Sequence, residues 1–169
     1  IATMPPLYYL NVTVHVLAAM LWLGGMFFLG AVGAPLLRAV EPPALRQQLF
    51  RQLGERFRTV SWVAIVVLVC TGVVNLHYRG WLKWDGVLGS ASFWSSPPGH
   101  TLAVKLAAVA IMIGVAAVHD FIQGPRAARA TPGSPEAIAL RGRAAVLARV
   151  NAIVGVVLVA AAVRLARGG

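Results

Sequence analysis

Acidic side chains are scarce in this sequence: there are five Asp and Glu among 169 residues, and none lies in the middle of an apolar run. Paired carboxylates for general acid–base chemistry are therefore missing. Cysteine occurs once, at Cys70, inside an apolar run. That excludes an intramolecular disulfide and a Cys-based zinc site, and a lone cysteine in such a place is a small apolar residue. Charged residues make up only 12% of the chain, too little to cover the surface of a soluble domain. No Gly-rich phosphate loop precedes a helix, and no Ser stands in a recognisable arrangement with a His and an acid. No enzyme constellation is present; a catalytic role, if there is one, is expected to be that of a membrane oxidoreductase.

Apolar residues are abundant, at 59%, with a mean hydropathy of +0.76. They are bunched into four stretches, at about residues 7–33, 58–78, 99–122 and 142–165. A membrane helix needs ~20 such residues, and an open sheet cannot survive in lipid. The expected fold is all-α: an integral membrane antiparallel four-helix bundle forming a single domain over residues 1–169. Pro5 and Pro6 precede the first span and Pro97 and Pro98 the third, where a first helical turn tolerates them. The first apolar run has no basic segment ahead of it and is longer than a signal-peptide core, so no cleavable signal peptide is expected.

Three segments lie between the spans. In residues 43–57, Leu45, Leu49, Leu53 and Phe57 recur every fourth residue among Arg46, Arg51, Arg56 and Arg58. This reads as an amphipathic helix, either lying at the headgroups or leading directly into span two. Residues 80–99 hold Trp81, Trp84, Phe93 and Trp94, which suit a cap along the membrane interface. Gly124 to Pro135 contains three prolines and two glycines and reads as a plain loop.

The formal net charge is +10. The basic residues flank apolar spans, so they read as a topology signal and not as a nucleic-acid surface. Ten lie on the side away from the N-terminus and five on the N-terminal side. The basic side is therefore expected to be cytoplasmic, in a bacterial inner membrane, with both termini outside.

Polar groups in the spans are the functional candidates, because lipid penalises them. His15 lies about two turns into span one, His77 ends span two, His100 opens span three, and His119 closes it on the basic side. Three histidines thus share the outer half. Convergent imidazoles suit Cu, Zn or Fe, so His15, His77, His100 and His119 are the candidate metal ligands. Two at matched depth could ligate a haem iron axially. The pair expected is His15 and His77, with His100 as a substitute for either. Trp22 and Gly25 belong to the same cofactor-binding set. Small residues in every span could admit a flat macrocycle or let helices approach closely. Arg79, Lys83, Lys105 and Arg164 could meet haem propionates, although Lys105 could equally snorkel to the surface. Asn151 should face inward and bond another span. Met4, Met20, Met26 and Met112 offer soft thioethers for Cu(I), but they form no MxM or MxxM cluster.

Several of these residues fall in a familiar order. Span one carries His15, Trp22, Gly24 and Gly25 as His-Val-Leu-Ala-Ala-Met-Leu-Trp-Leu-Gly-Gly; span two begins Arg56-Phe57-Arg-Thr-Val-Ser61 and ends Thr71-Gly72-Val-Val-Asn75; span three contains Val104-Lys105-Leu106. The chain resembles the copper resistance protein D family of bacterial membrane proteins. That resemblance implies copper movement across the inner membrane by a core of four spans, although typical members have more. His77, His100 and His119 have no counterpart in that pattern, and its Met-rich features are absent. The leading expectation is accordingly a haem b-binding redox or electron-transfer protein, with a quinone or a periplasmic redox protein as partner. Copper binding or transport is the alternative, and an accessory subunit of a larger membrane complex comes third. Homo-oligomerisation is open.

Overall fold

The structure, a computed structural model, describes residues 5–82, 87–131 and 133–168. Met4, Lys83 and Trp84 lie outside them. Among the described residues there is no strand. Four helices are long and apolar enough to cross a membrane: α1 (Pro6–Arg38), α2 (Pro43–Tyr78), α4 (Pro97–Ala127) and α5 (Pro135–Ala166). A short helix, α3 (Ala91–Trp94), lies between α2 and α4. The expected all-α four-span architecture is what the chain adopts.

Each long helix starts on a proline, whose missing N–H is one of the donors a helix start leaves unpaired in any case. Ser96 and Ser134 cap α4 and α5, accepting from the backbone N–H of Gly99 at 3.3 Å and of Ala137 at 3.2 Å. Gly80, at φ 71°, ends α2. Its N–H donates to the His77 carbonyl at 2.8 Å, and that of Trp81 to the Leu76 carbonyl at 3.0 Å. This double closure needs a left-handed residue, which glycine supplies without strain.

Packing runs in two hairpins: α1 lies along α2 and α4 along α5, with a lighter contact between α1 and α5. Trp22, Leu23, Ala64, Ile65 and Met112 form the centre. Large aliphatics such as Val63, Ile111, Ile153 and Val156 face outward, while Ser61, Thr101 and Asn151 are buried. This inversion fits a lipid surround, where apolar burial gives no drive for helix association and close packing and interhelical bonds do the work.

Residues 43–57 lead directly into span two, one of the two placements expected of them, as the first turns of α2, an unbroken helix of 36 residues. Two other expectations about the chain's path are corrected. Gly124 to Pro135 is not one plain loop, because Gly124–Arg129 continues the helix. His119 likewise does not end its helix. The reason is a widened turn. Val118–Gln123 is π-helical, with the Gly124 N–H reaching back to the His119 carbonyl. Leu29–Gly33 in α1 is π-helical too, with the Ala34 N–H reaching Leu29. Each segment sits just ahead of a proline, Pro35 or Pro125. Mid-helix proline lacks a donor and collides with the carbonyl four residues back; a local i→i+5 turn opens the ladder at that point. A proline taken as a stop is thereby absorbed.

The aromatic segment forms a cap. Trp81 and Phe93 meet edge to face at 5.1 Å, and the Trp94 indole donates to the Leu88 carbonyl at 2.8 Å. Gly99 lets α4 start directly beneath α3: a Cβ there would collide with the Phe93 carbonyl group. Gly99→Ala is therefore expected to cost about 1–3 kcal/mol, read as a lower unfolding temperature in detergent. Gly24→Ala, whose Cβ would meet nothing within 4 Å, should leave that temperature unchanged.

Candidate functional site

On α1, Asn11 and His15 lie one turn apart; on α2, so do Thr71 and Asn75. Residues at this spacing share a helix face, and the antiparallel hairpin sets the two pairs opposite one another. Asn11 Nδ2 donates to the Thr71 carbonyl at 3.1 Å and to Asn75 Oδ1 at 2.9 Å. His15 Nδ1 lies 2.7 Å from Thr71 Oγ1. The Thr71 hydroxyl donates to the Val67 carbonyl at 2.6 Å, which leaves Oγ1 able to accept from His15 Nδ1–H. In that tautomer Nε2 is the electron-pair donor of the ring.

Gly72 makes room for this imidazole. A Cβ at Gly72 would stand 3.7 Å from His15 Cε1, so any longer side chain would reach the ring. Asn11 and Thr71 also line a groove of about 340 Å³ on the outer face of the hairpin, among Leu7, Leu10, Val14, Val74 and Tyr78.

The other expected site residues are dispersed. His77 is exposed, its ring 6.1 Å from that of Tyr78. His100 is exposed on the first turn of α4. His119, also exposed, sits at the far end beside Asp120 at 3.0 Å. Among the described residues no group of three His, Cys, Asp or Glu side chains could hold one metal ion. The shared cluster of His15, His77 and His100 is thus not assembled. Sequence spacing placed them in the same half of the bundle, with His15 deeper than the other two, but said nothing of rotation about each helix axis, and only His15 turns toward a neighbouring span.

Trp22 and Gly25 belong to the packed interior. Trp22 is 3% exposed, and Gly25 receives the ring of Phe57. Arg79 donates to the Leu165 carbonyl at 3.4 Å and stacks over Trp81 at 5.3 Å, which ties α2 to the last turn of α5. The haem b expectation is not supported. Its second axial ligand would be an exposed histidine, His77 or His100.

Two further polar contacts cross between helices. Asn151, 6% exposed, faces inward as expected and donates to Met26 Sδ at 3.6 Å. Its Oδ1 is buried without a partner, a situation that costs about 1–3 kcal/mol. At the basic end, Trp62 Nε1 donates to Asp120 Oδ2 at 2.9 Å. Asn11, Thr71, Asn75 and Trp62 were not singled out as site residues from sequence. The available signal was the matched four-residue spacing of polar groups in two antiparallel spans.

These features define a multi-pass membrane protein with a polar seam in its first hairpin. The chain belongs to the copper resistance protein D family, whose profile matches residues 51–165. The match takes in α5 almost whole, all of α4 and most of α2, including Thr71 and Gly72. The stretch of α1 that carries His15, Trp22, Gly24 and Gly25 lies outside it. The chain is also similar to an uncharacterized protein of Aquifex aeolicus (strain VF5), 30% identical over 115 residues, which cover 67% of this chain and 68% of the relative. No solved structure matches the chain.

Thr71→Val removes the acceptor of His15 Nδ1 while keeping the shape of the side chain. It is expected to lower the unfolding free energy by about 1–3 kcal/mol and to let the proton move to Nε2, visible in the ¹⁵N shifts of the His15 ring. Thr71→Ser should preserve both.

Proposed function

We propose that this bundle binds copper and passes it across a bacterial inner membrane, with His15 as the ligand at the outer end. The observation that carries this reading is the hydrogen bond between His15 Nδ1 and Thr71 Oγ1, Thr71 being a residue inside the family-matched stretch. A ligating histidine ordinarily has its other ring nitrogen held by a hydrogen-bond acceptor, which orients the ring and raises its basicity. With the proton on Nδ1, Thr71 supplies that acceptor and Nε2 keeps its electron pair. Neutral imidazole suits copper. The membership of the family supports copper over zinc or iron as the cargo.

The direction of the path follows from charge. Arginines crowd the end of the bundle opposite His15, which supports that end as the cytoplasmic one. His15 then stands where copper would enter from outside.

Elemental analysis of purified, copper-loaded protein tests the reading. His15→Ala should lower copper affinity by more than the roughly 10–100-fold that loss of a supporting hydrogen bond typically costs, and Thr71→Val should fall within that range. Copper accumulation by cells expressing the same variants should follow the same order. Copper content near zero after loading, with no change on His15→Ala, would sink the proposal.

A further inference from the structure

Two arginines without a counter-charge mark the basic end of the second hairpin. Arg143 and Arg149 on α5 are both exposed, and among the described residues neither takes part in an ion pair. Arg143 precedes Arg164 on the same helix by 21 residues, roughly 31 Å at 1.5 Å per residue. That is about the thickness of the hydrocarbon core of a bilayer. With Arg164 at one headgroup layer, Arg143 stands at the other. Arg149 lies six residues further in, roughly 9 Å deeper. A charge facing lipid there is costly and reaches back toward the headgroups for a partner.

A groove opens at the level of Arg143. It has a volume of about 390 Å³ and is lined by Gln123 from α4 and by Ala139, Gly142, Arg143, Val146 and Leu147 from α5. The π turn that Gln123 closes packs against α5. Gly142 keeps the groove open, because a Cβ there would meet nothing within 4 Å. The lining is graded: Arg143 is at headgroup level, and Val146 and Leu147 lie one turn further into the hydrocarbon. No carboxylate lines it. Arg149 stands on the face of α5 that carries Gly142, seven residues back. The Cα–Cβ bonds of a helix tilt toward its N-terminus, which for α5 is the headgroup end, so Arg149 sets out toward Gly142.

We propose that this groove is a specific site for one anionic phospholipid of the phosphatidylglycerol type. Its phosphate sits between the guanidinium groups of Arg143 and Arg149, which bind phosphate through charge-assisted hydrogen bonds. The Gln123 amide donates to a phosphate or ester oxygen, and an acyl chain runs along Val146 and Leu147. Basic pockets between spans recognise anionic headgroups in this way. A zwitterionic lipid would bring its own ammonium group to two guanidiniums that have no carboxylate beside them; an anionic lipid brings negative charge alone. The site is independent of the copper path, because it lies on the second hairpin at the end opposite His15.

Native mass spectrometry of the delipidated protein in detergent, titrated with phosphatidylglycerol or with phosphatidylcholine of the same chains, tests this site. Wild type should retain one phosphatidylglycerol, with an apparent affinity roughly tenfold or more above that for phosphatidylcholine. Arg143→Gln/Arg149→Gln should abolish the preference. Gly142→Leu fills the groove from a position open to a side chain, so it should prevent retention while leaving the circular dichroism spectrum unchanged. Arg51→Gln/Arg56→Gln removes two exposed arginines from the first hairpin and should bind as wild type does. Glycerol 3-phosphate, which has the phosphate but no chains, should not compete. Equal retention of the two lipids by wild type, or an unchanged preference in Arg143→Gln/Arg149→Gln, overturns the site. So does retention by Gly142→Leu at the wild-type level. An equal loss in Arg51→Gln/Arg56→Gln would reduce the effect to general surface charge, and competition by glycerol 3-phosphate would make the ligand a free phosphate; either result also overturns it.

Discussion

Lipid offers a polar side chain no partner, so Asn11, His15, Thr71 and Asn75, in the outer half of the first hairpin, bond one another and the backbone. That restriction organises the first hairpin. In water, each of these side chains could turn to solvent at little cost; in hydrocarbon, an unpaired polar group costs several kcal/mol. The two helices must therefore meet in the one register that sets Asn11 against Asn75 and His15 against Thr71. Once that register is fixed, Trp22 and Leu23 fall level with Ala64 and Ile65, and the centre can close around Met112.

The outer surface follows from the same restriction. Side chains facing lipid gain nothing by turning inward, so Val63, Ile111 and Ile153 stay outside and small or polar residues take the interior. Close approach between helices then depends on what is missing. Gly25 yields to the ring of Phe57, Gly155 to Leu23 and Met112, and Gly99 to the backbone of the cap. The second hairpin joins the first through few contacts, among them the bond from Trp62 to Asp120 and the pairing of Asn151 with Met26. Both connect spans from different hairpins, and both use a group that lipid would otherwise penalise.

Much of the fold was legible from the residues. Four apolar runs separated by arginine-rich segments permit few other arrangements, and the inward turn of Asn151 followed from its cost in lipid. The candidate site was legible only in part. Depth along a helix can be counted from sequence, and that count correctly placed His15, His77 and His100 in one half. Rotation about the helix axis depends on packing against neighbours, and it separates His15 from the other two. The proline at position 125 misled for a related reason. Its steric conflict is real, but a helix has a second way to resolve it besides stopping.

That second way has a consequence for comparing relatives. A π turn is equivalent to one extra residue threaded into a regular helix, and each residue turns an α-helix by roughly 100°. Below Leu29–Gly33 and Val118–Gln123, every side chain is rotated by about that amount from where uninterrupted counting would put it. A homologous chain without the insertion would need a one-residue gap at each bulge to bring inner residues into line with inner residues. Aligned without gaps, its lipid-facing positions would be matched to the interior of this bundle, and the disagreement would read as divergence where only an offset exists.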